Sequence, residues 1–410
     1  MNTKNYRQAH WANQLVLLTG LLFCMVSVQA QTPAPVTLRS EVHKPLAAAQ
    51  EALKNNQPDQ ALNLTRQALA VAQLTPAERA VVLRTQAVVA LRAQNWDVAI
   101  ESLEFLVASP EVPVADRLPM LESLMNAGQQ KKDNARVVKW ARQYIESGGS
   151  KPVIRVVMIQ TLSVMGEHQQ VVAEMLEKLR LDASAGVKTP EQELRMLAVS
   201  YRQLKDNAGY QATLRRLLEA YPSKAYWAEV IQRLAQQPNL NPRLELDLYR
   251  LLEQTDNLEE AVEYSDMAQQ ALKAGLPSEA LRVLAKGFDA GVLGQGSDGA
   301  AHAKLRTEAK KKAQEDELTF AQLEKSAKDS ASWAGVGDVY ASQQNWTAAN
   351  SAYAKALVLG SLRREHELRL HYGISLIKAG QKDAARQQLA AVQGDPLAME
   401  LASLWGLLAR

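Results

Sequence analysis

Cysteine occurs once in the chain, at Cys24, inside an apolar N-terminal run. Everything after that run has no thiol, which excludes disulfides, thiolate catalysis and cysteine metal sites together. Aromatic residues make up only 5% of 410, and 20 glycines and 15 prolines are thinly spread. No β-rich alternating stretch of convincing length occurs. Ala, Leu, Gln, Glu, Lys and Arg dominate, so helix is favoured throughout. An excess of one charge is also missing: 47 basic against 44 acidic residues leave a formal +3. Nothing in this balance draws the chain to nucleic acid or to an anionic membrane surface. With 47% apolar residues the chain can bury a large core, as two or three domains or as one long repeat stack.

The first thirty residues are a separate object. Lys4 and Arg7 give a positive start, Leu15 to Val28 is an unbroken run without charge, and Val28-Gln29-Ala30 precedes an expected cut at Gln31. The run is shorter than the roughly 20 residues a membrane span needs, so a signal peptide (1–30) cleaved after Ala30 and export to the periplasm are expected. Retention as an anchor, the only membrane contact expected, is the alternative. Phe23 before Cys24 is too bulky for a lipoprotein cleavage site. Loss of 1–30 removes Lys4 and Arg7 and no acid, so the formal charge falls from +3 to +1. Gln31 to Ser40, with two prolines and no periodicity, reads as a linker (31–41).

The most informative stretch is Ser332 to Leu357, SWAGVGDVYASQQNWTAANSAYAKAL. On a helix Trp333, Val336, Gly337 and Tyr340 share one face, and Ala349, Tyr353 and Ala356 repeat the pattern in a second helix. Gly337 and Ala349 are small where two antiparallel helices must approach, and Trp333, Tyr340 and Tyr353 fill the surrounding space. Together they read W-x2-V-G-x2-Y followed by A-x3-Y-x2-A, which resembles the helix–turn–helix signature of the tetratricopeptide repeat, a unit of about 34 residues. Such a unit cannot bury its apolar face alone, so neighbours of the same kind are expected.

Helix pairs do recur along the chain. Ala61, Thr65 and Ala68 are followed by Leu83, Ala87 and Ala90 facing Ala99, Leu103 and Leu106. The pairs around Leu121 to Ile145 and Val153 to Leu181 match the signature poorly. Leu194, Leu197, Ala198 and Tyr201 match better, with Pro222 where the family places its proline, while Tyr210 falls where a small residue is expected. A pair at 224–254 follows, then Tyr264, Met267, Ala268 and Ala271 with Ala280 and Leu284 opposite. Gly291 to Gly299 breaks the pattern, and 300–329 reads as a charged helix. After Ser332–Leu357 a last repeat carries Gly373, Ala385 and Leu389, and Pro396 to Arg410 resembles the capping helix of such arrays. The expected fold is all-α, a right-handed superhelical solenoid of antiparallel helix pairs. Its expected parts are an N-terminal array (42–290), a glycine-rich loop and charged helix (291–329), and C-terminal repeats with the capping helix (330–410), loosened or bent at 291–329.

Chemistry is sparse. Gly294-Gln-Gly296-Ser-Asp-Gly299 matches G-x-G-x-x-G, but the preceding stretch is helical in period, so the dinucleotide reading lacks its strand; Gly291 is expected to cap a helix. His43, His168, His302, His366 and His371 show no metal-ligand spacing, and His168 is expected solvated in a turn. No G-x-S-x-G occurs. Glu259 and Glu260 read as a solvated pair, and Lys310 to Lys312 as partners for Glu308 and Glu315 in ion pairs one helical turn apart. No catalytic residue, cofactor or metal is therefore expected, and no enzyme.

What remains is surface. The resemblance implies that first helices line a concave face on which protein segments lie. Partner-facing candidates on that face are Arg195, Arg202, Gln269, Lys273, Asp338, Ser342 and Lys378, with Gln192, Gln203 and Glu367 beside them. The dense lysine and asparagine set with which some relatives clamp a terminal carboxylate is missing. The expected role is that of an exported scaffold or adaptor binding another envelope protein or a peptide segment of one, as accessory to an envelope machine such as TonB-type transport, a pilus or secretion. The alternative is a cell-wall or polysaccharide-binding accessory, for which Trp346, in a turn, is the free aromatic candidate.

Overall fold

The computed structural model describes residues 37–410 except Asn239. The expected signal segment, its Cys24 and the cut after Ala30 lie outside the described residues, as does the linker up to residue 36. The described residues form an all-α fold of antiparallel helix pairs, with no strand among them. The chain divides into two compact units, one ending at Asp133 and the other spanning Asn134–Arg410. The third expected pair falls across this division.

The first unit holds α1 (Ser40–Lys54), α2 (Pro58–Leu69), α3 (Pro76–Arg92), α4 (Trp96–Ala108) and α5 (Val114–Gln130). Small residues set the spacing of its helices: Ala61, Ala68, Ala90 and Ala99 are wholly buried. Leu83 and Leu106 share a cluster, as expected from their periodicity. Thr75 begins α3 with a capping box, its hydroxyl accepting from the Glu78 N–H and the Glu78 carboxylate accepting from the Thr75 N–H. The Arg39 guanidinium also grips Glu78 at 2.8 Å. Hydrogen bonding to Arg39, then to the Thr75 N–H, holds that carboxyl down at about 2. A buried polar chain ties three helices, Gln86 donating to the Thr65 hydroxyl at 3.4 Å and Ser102 donating to Gln86 Oε1 at 3.0 Å.

The second unit runs α6 (Asn134–Glu146), α7 (Pro152–Met165), α8 (His168–Ser184), α9 (Glu191–Gln203), α10 (Asn207–Ala220), α11 (Lys224–Ala235) and α12 (Glu245–Gln254). It continues with α13 (Ala261–Lys273), α14 (Pro277–Asp289), α15 (Gly299–Ser326), α16 (Ser330–Ser342), α17 (Trp346–Leu359), α18 (Glu365–Lys378), α19 (Lys382–Ala390) and α20 (Pro396–Leu408). The close approach expected at Gly337 is present: a Cβ there would lie 2.5 Å from the Tyr353 ring. The next repeat makes the same contact, Gly373 against Leu389, also at 2.5 Å. In the pair α9–α10 the small residue is Gly209, whose Cβ would lie 2.3 Å from the Tyr201 ring. The small position has slipped by one, which is why Tyr210 stands where it was not expected. Tyr210 is buried, its hydroxyl on Glu229 and the Arg233 guanidinium 4.3 Å from its ring centroid.

Several helices end on a left-handed residue without glycine: Gln94 (φ 54°), Lys205 (φ 57°) and Gln344 (φ 62°) do what Gly275 (φ 74°) does elsewhere. Gly291 (φ 71°) closes α14 in the same conformation. Gly294 and Gly296 lie in the loop that follows, where the Gly294 N–H meets His302 Nδ1 at 3.2 Å, so the glycine motif is a helix connection. α15 is about 42 Å long at 1.5 Å per residue, yet buries only His302 and Ala309. Its lysines pair as expected, Lys312 with Glu308 at 2.9 Å and Lys311 with Glu315 at 3.8 Å. Residues 330–410 belong to the second unit, where α20 packs on α18 and α19 and touches α12.

Candidate functional site

Tyr353, wholly buried by its contact with Gly337, donates its hydroxyl to Asp338 Oδ1 at 2.8 Å. One repeat further along, His371 of α18 places Nδ1 2.8 Å from the same oxygen and Nε2 3.3 Å from Asp247 of α12. Asp247 accepts from Arg250 at 2.9 Å, and Arg250 reaches Glu279 of α14 at 2.6 Å. Five charged groups from α12, α14, α16 and α18 therefore form one node, with Asp247 only 1% exposed.

The electrostatics follow from this packing. Burial pushes against a charged His371, but Asp247 and Asp338 outweigh it and raise the imidazole to about 10. Burial alone would raise both carboxyls; His371 and, more weakly, Arg250 hold them below the ordinary carboxylate range. The node at neutral pH is thus a protonated histidine bridging two carboxylates. It joins the last repeats to the middle of the unit, and further pairs follow the same seam: Arg243 with Glu367 at 2.8 Å, Arg215 with Glu400 at 2.6 Å and Asn241 with Asp395 at 3.0 Å.

Beside the node lies a cavity of about 370 Å³, walled by Arg282, Lys286, Trp346, Ser375, Lys378 and Trp405 among others. Arg282 pairs with Glu253 at 2.5 Å. Lys378 lines the cavity too, donating to Gln254 Oε1. Partial burial, with Arg282 and Lys286 nearby, lowers its ammonium below the usual lysine range against the pull of Glu253.

Of the partner-facing candidates, Asp338, Ser342 and Lys378 come together around this node and cavity. Asp338 is turned inward to Tyr353 and His371, and Ser342 is buried with its hydroxyl on the Val339 carbonyl of its own helix. Glu367 is taken up by Arg243. Arg195, Arg202, Gln269 and Lys273 are exposed and apart from the cavity. Trp346 opens α17 and forms part of the cavity wall instead of standing free in a turn. His168 likewise begins a helix, with Nδ1 3.4 Å from the Ser200 hydroxyl. His371, passed over in the sequence, is the centre of the node. The available signal was slight: the carboxylate one turn away on the same helix, Glu367, is taken by Arg243, and the two acids that His371 does bridge lie 33 and 124 residues away. Among the described residues no group of three His, Cys, Asp or Glu is disposed to hold a metal.

A second concavity lies between α11, α12 and α13, with a volume of about 440 Å³. Ile231, Leu240, Leu248 and Leu252 make its apolar floor and walls, and Glu245, Glu259, Glu260 and Glu263 its edge. Tyr249, on the same wall, is pushed up to about 12 by burial and by the carboxylates of Asp266, Glu245 and Glu263.

No protein-family model matches the chain, and no curated protein matches it. Solved structures with a similar helical arrangement include the TPR2AB domain of yeast Sti1 in a pHSP90 complex, at 16% identity, 66% of this chain, 98% of that one and a TM-score of 0.31. Another is Pseudomonas aeruginosa pilF, at 16% identity, 48% of this chain, 83% of that one and a TM-score of 0.28. A third is the C-terminal part of a TPR repeat-containing protein from Cytophaga hutchinsonii, at 11% identity, 78% of this chain, 97% of that one and a TM-score of 0.30. Likeness at this level is one of helical hairpins and carries no argument about partner or activity.

Proposed function

We propose that this chain is an exported, non-enzymatic scaffold that binds another envelope protein on the surface of its helix pairs and positions it in a larger assembly. The observation that carries the reading is the recurrence of one packing contact. Gly337 against Tyr353 and Gly373 against Leu389 put the same small-on-large approach at equivalent points of successive repeats. A stack held together by neighbour contacts of this kind presents an extended surface of side chains, and such surfaces hold segments of other proteins. The N-terminal sequence pattern supports periplasmic placement, and the proposed accessory service to TonB-type transport, a pilus or secretion rests on that address and on nothing else.

Crosslinking in cells followed by affinity capture of the tagged chain tests the reading. A reproducible envelope partner is the expected outcome. Recovery of no reproducible protein, or sedimentation of the tagged chain with the cytosolic fraction, counts against it.

A further inference from the structure

The groove between α11, α12 and α13 departs in charge from the rest of a nearly neutral chain. Its floor is apolar through Ile231, Leu248 and Leu252. All four charged residues that line it, Glu245, Glu259, Glu260 and Glu263, are acidic, and no lysine or arginine lines it. Lys224 reaches in from outside to pair with Glu259, which offsets one of the four charges. The other acids are engaged by neutral donors: Glu245 accepts from Gln270 at 2.6 Å, and Glu263 accepts the N–H groups of Glu259 and Glu260 at 2.8 and 2.9 Å. Hydrogen bonds from neutral groups orient a carboxylate and leave its charge in place. Asp266 adds to the negative field, with the Tyr249 hydroxyl 3.4 Å from its Oδ2.

We infer that this groove is a docking site for a protein segment that carries large apolar side chains flanked by lysine or arginine. The inference rests on the scaffold reading and names the chemistry of its partner. The apolar floor takes the anchoring side chains, where burial supplies most of the binding energy. The carboxylate edge selects basic flanks and repels acidic ones, which governs choice of partner and speed of encounter more than raw affinity. Glu259 and Glu260, which precede α13, are exposed, so an incoming cation can reach them. Glu245 and Glu263 are anchored in the first turns of α12 and α13, where the helix N-termini favour a negative charge.

The test uses the full chain after removal of residues 1–30 and three fluorescein-labelled synthetic peptides with the same leucine pattern, flanked by lysine, by glutamine or by glutamate. Fluorescence anisotropy should show the lysine peptide binding most tightly and weakening as salt rises. The double variant Glu259→Gln/Glu260→Gln should weaken that peptide by on the order of three- to tenfold and leave the glutamine peptide unchanged. Leu252→Ser should weaken all three, with circular dichroism confirming that the helices are retained. Equal binding of lysine and glutamate peptides, or no response to the double glutamine variant, overturns the inference. So does concentration-dependent self-association of the chain that the Leu252→Ser variant abolishes, since the groove would then belong to a second copy. If no peptide binds while cell crosslinking still captures a partner, the groove assignment fails and the scaffold reading stands. If the peptides bind in the expected order while no partner is captured in cells, the groove assignment stands and the scaffold reading fails.

Discussion

Two glycines two residues apart on α16 offer opposite outcomes for the same chemical change. Gly335 is exposed, and a Cβ there meets nothing within 4 Å. Gly335→Ala should therefore express only the backbone term, a gain of about 1 kcal/mol from the better helix former. Gly337 has the same helical backbone, so the same gain applies, but its Cβ would stand 2.5, 2.5 and 3.0 Å from three atoms of the Tyr353 ring. That ring is 1% exposed, and its hydroxyl is held 2.8 Å from Asp338, so it cannot turn aside without loosening the His371 node. Overpacking of this kind costs about 1–3 kcal/mol, and the pinned ring places this site at the upper end. Gly337→Ala should lose roughly 2 kcal/mol net, so the two variants should differ by about 3 kcal/mol. Urea unfolding followed by tryptophan fluorescence measures it, since Trp333, Trp346 and Trp405 all lie in this part of the second unit. Matching midpoints for the two variants would refute the claim that close helix approach, not helix propensity, dictates glycine at 337.

The histidine node makes a prediction in pH. An imidazole raised to about 10 in the folded chain, against about 6.5 unfolded, stabilises fully below about pH 6.5 and loses that contribution as pH rises toward 10. The lowered Asp247 and Asp338 act in the opposite sense, contributing above about pH 4 and losing it in acid. Stability of the parent minus that of His371→Gln should therefore fall between pH 7 and 10, with a slope of at most about 1.4 kcal/mol per pH unit; a flat difference would show that the histidine is neutral in the folded chain. Replacing His371 by Ala at pH 6 should cost about 3 kcal/mol, because it strands two carboxylates, whereas Asp338→Asn should cost less while flattening the same pH slope. Asn345→Ala removes the side-chain acceptor of the Ala348 N–H at the start of α17, and thermal unfolding should register about 1 kcal/mol lost. Trp346→Ala opens the cavity wall beside Lys378; peptidoglycan or polysaccharide pull-down should be indifferent to it, and loss of a robust glycan interaction in that variant would turn the reading to the polymer-binding alternative.

Much of the local architecture is legible in the sequence. The i, i+3, i+4, i+7 spacing of Trp333, Val336, Gly337 and Tyr340 locates α16 and its face, because helical periodicity is a property of neighbours in the chain. Proline after a capping residue marks several helix starts, as Thr75-Pro76 and Asp395-Pro396 do. Turn chemistry is less legible. Gln94, Lys205 and Gln344 close helices in a conformation that glycine would have signalled, and the one-residue slip from Tyr210 to Gly209 cannot be seen without knowing which ring the small residue must face.

The sequence alone determined that the chain is helical, paired and repetitive, since propensity, periodicity and the placing of small residues against large ones are all short-range properties. It also determined the thiol-free, nearly neutral chemistry of everything after residue 30. The tertiary structure alone decided that Asp338 and Ser342 face inward, that His371 is a bridging cation, and that four acids edge one apolar groove. Each of these depends on side chains from separate turns or helices meeting in space, as His371 and Asp247 do across 124 residues. The pattern of one helix says which side is buried; only the packing of several says against what, and a carboxylate or an imidazole takes its charge and its role from that neighbour.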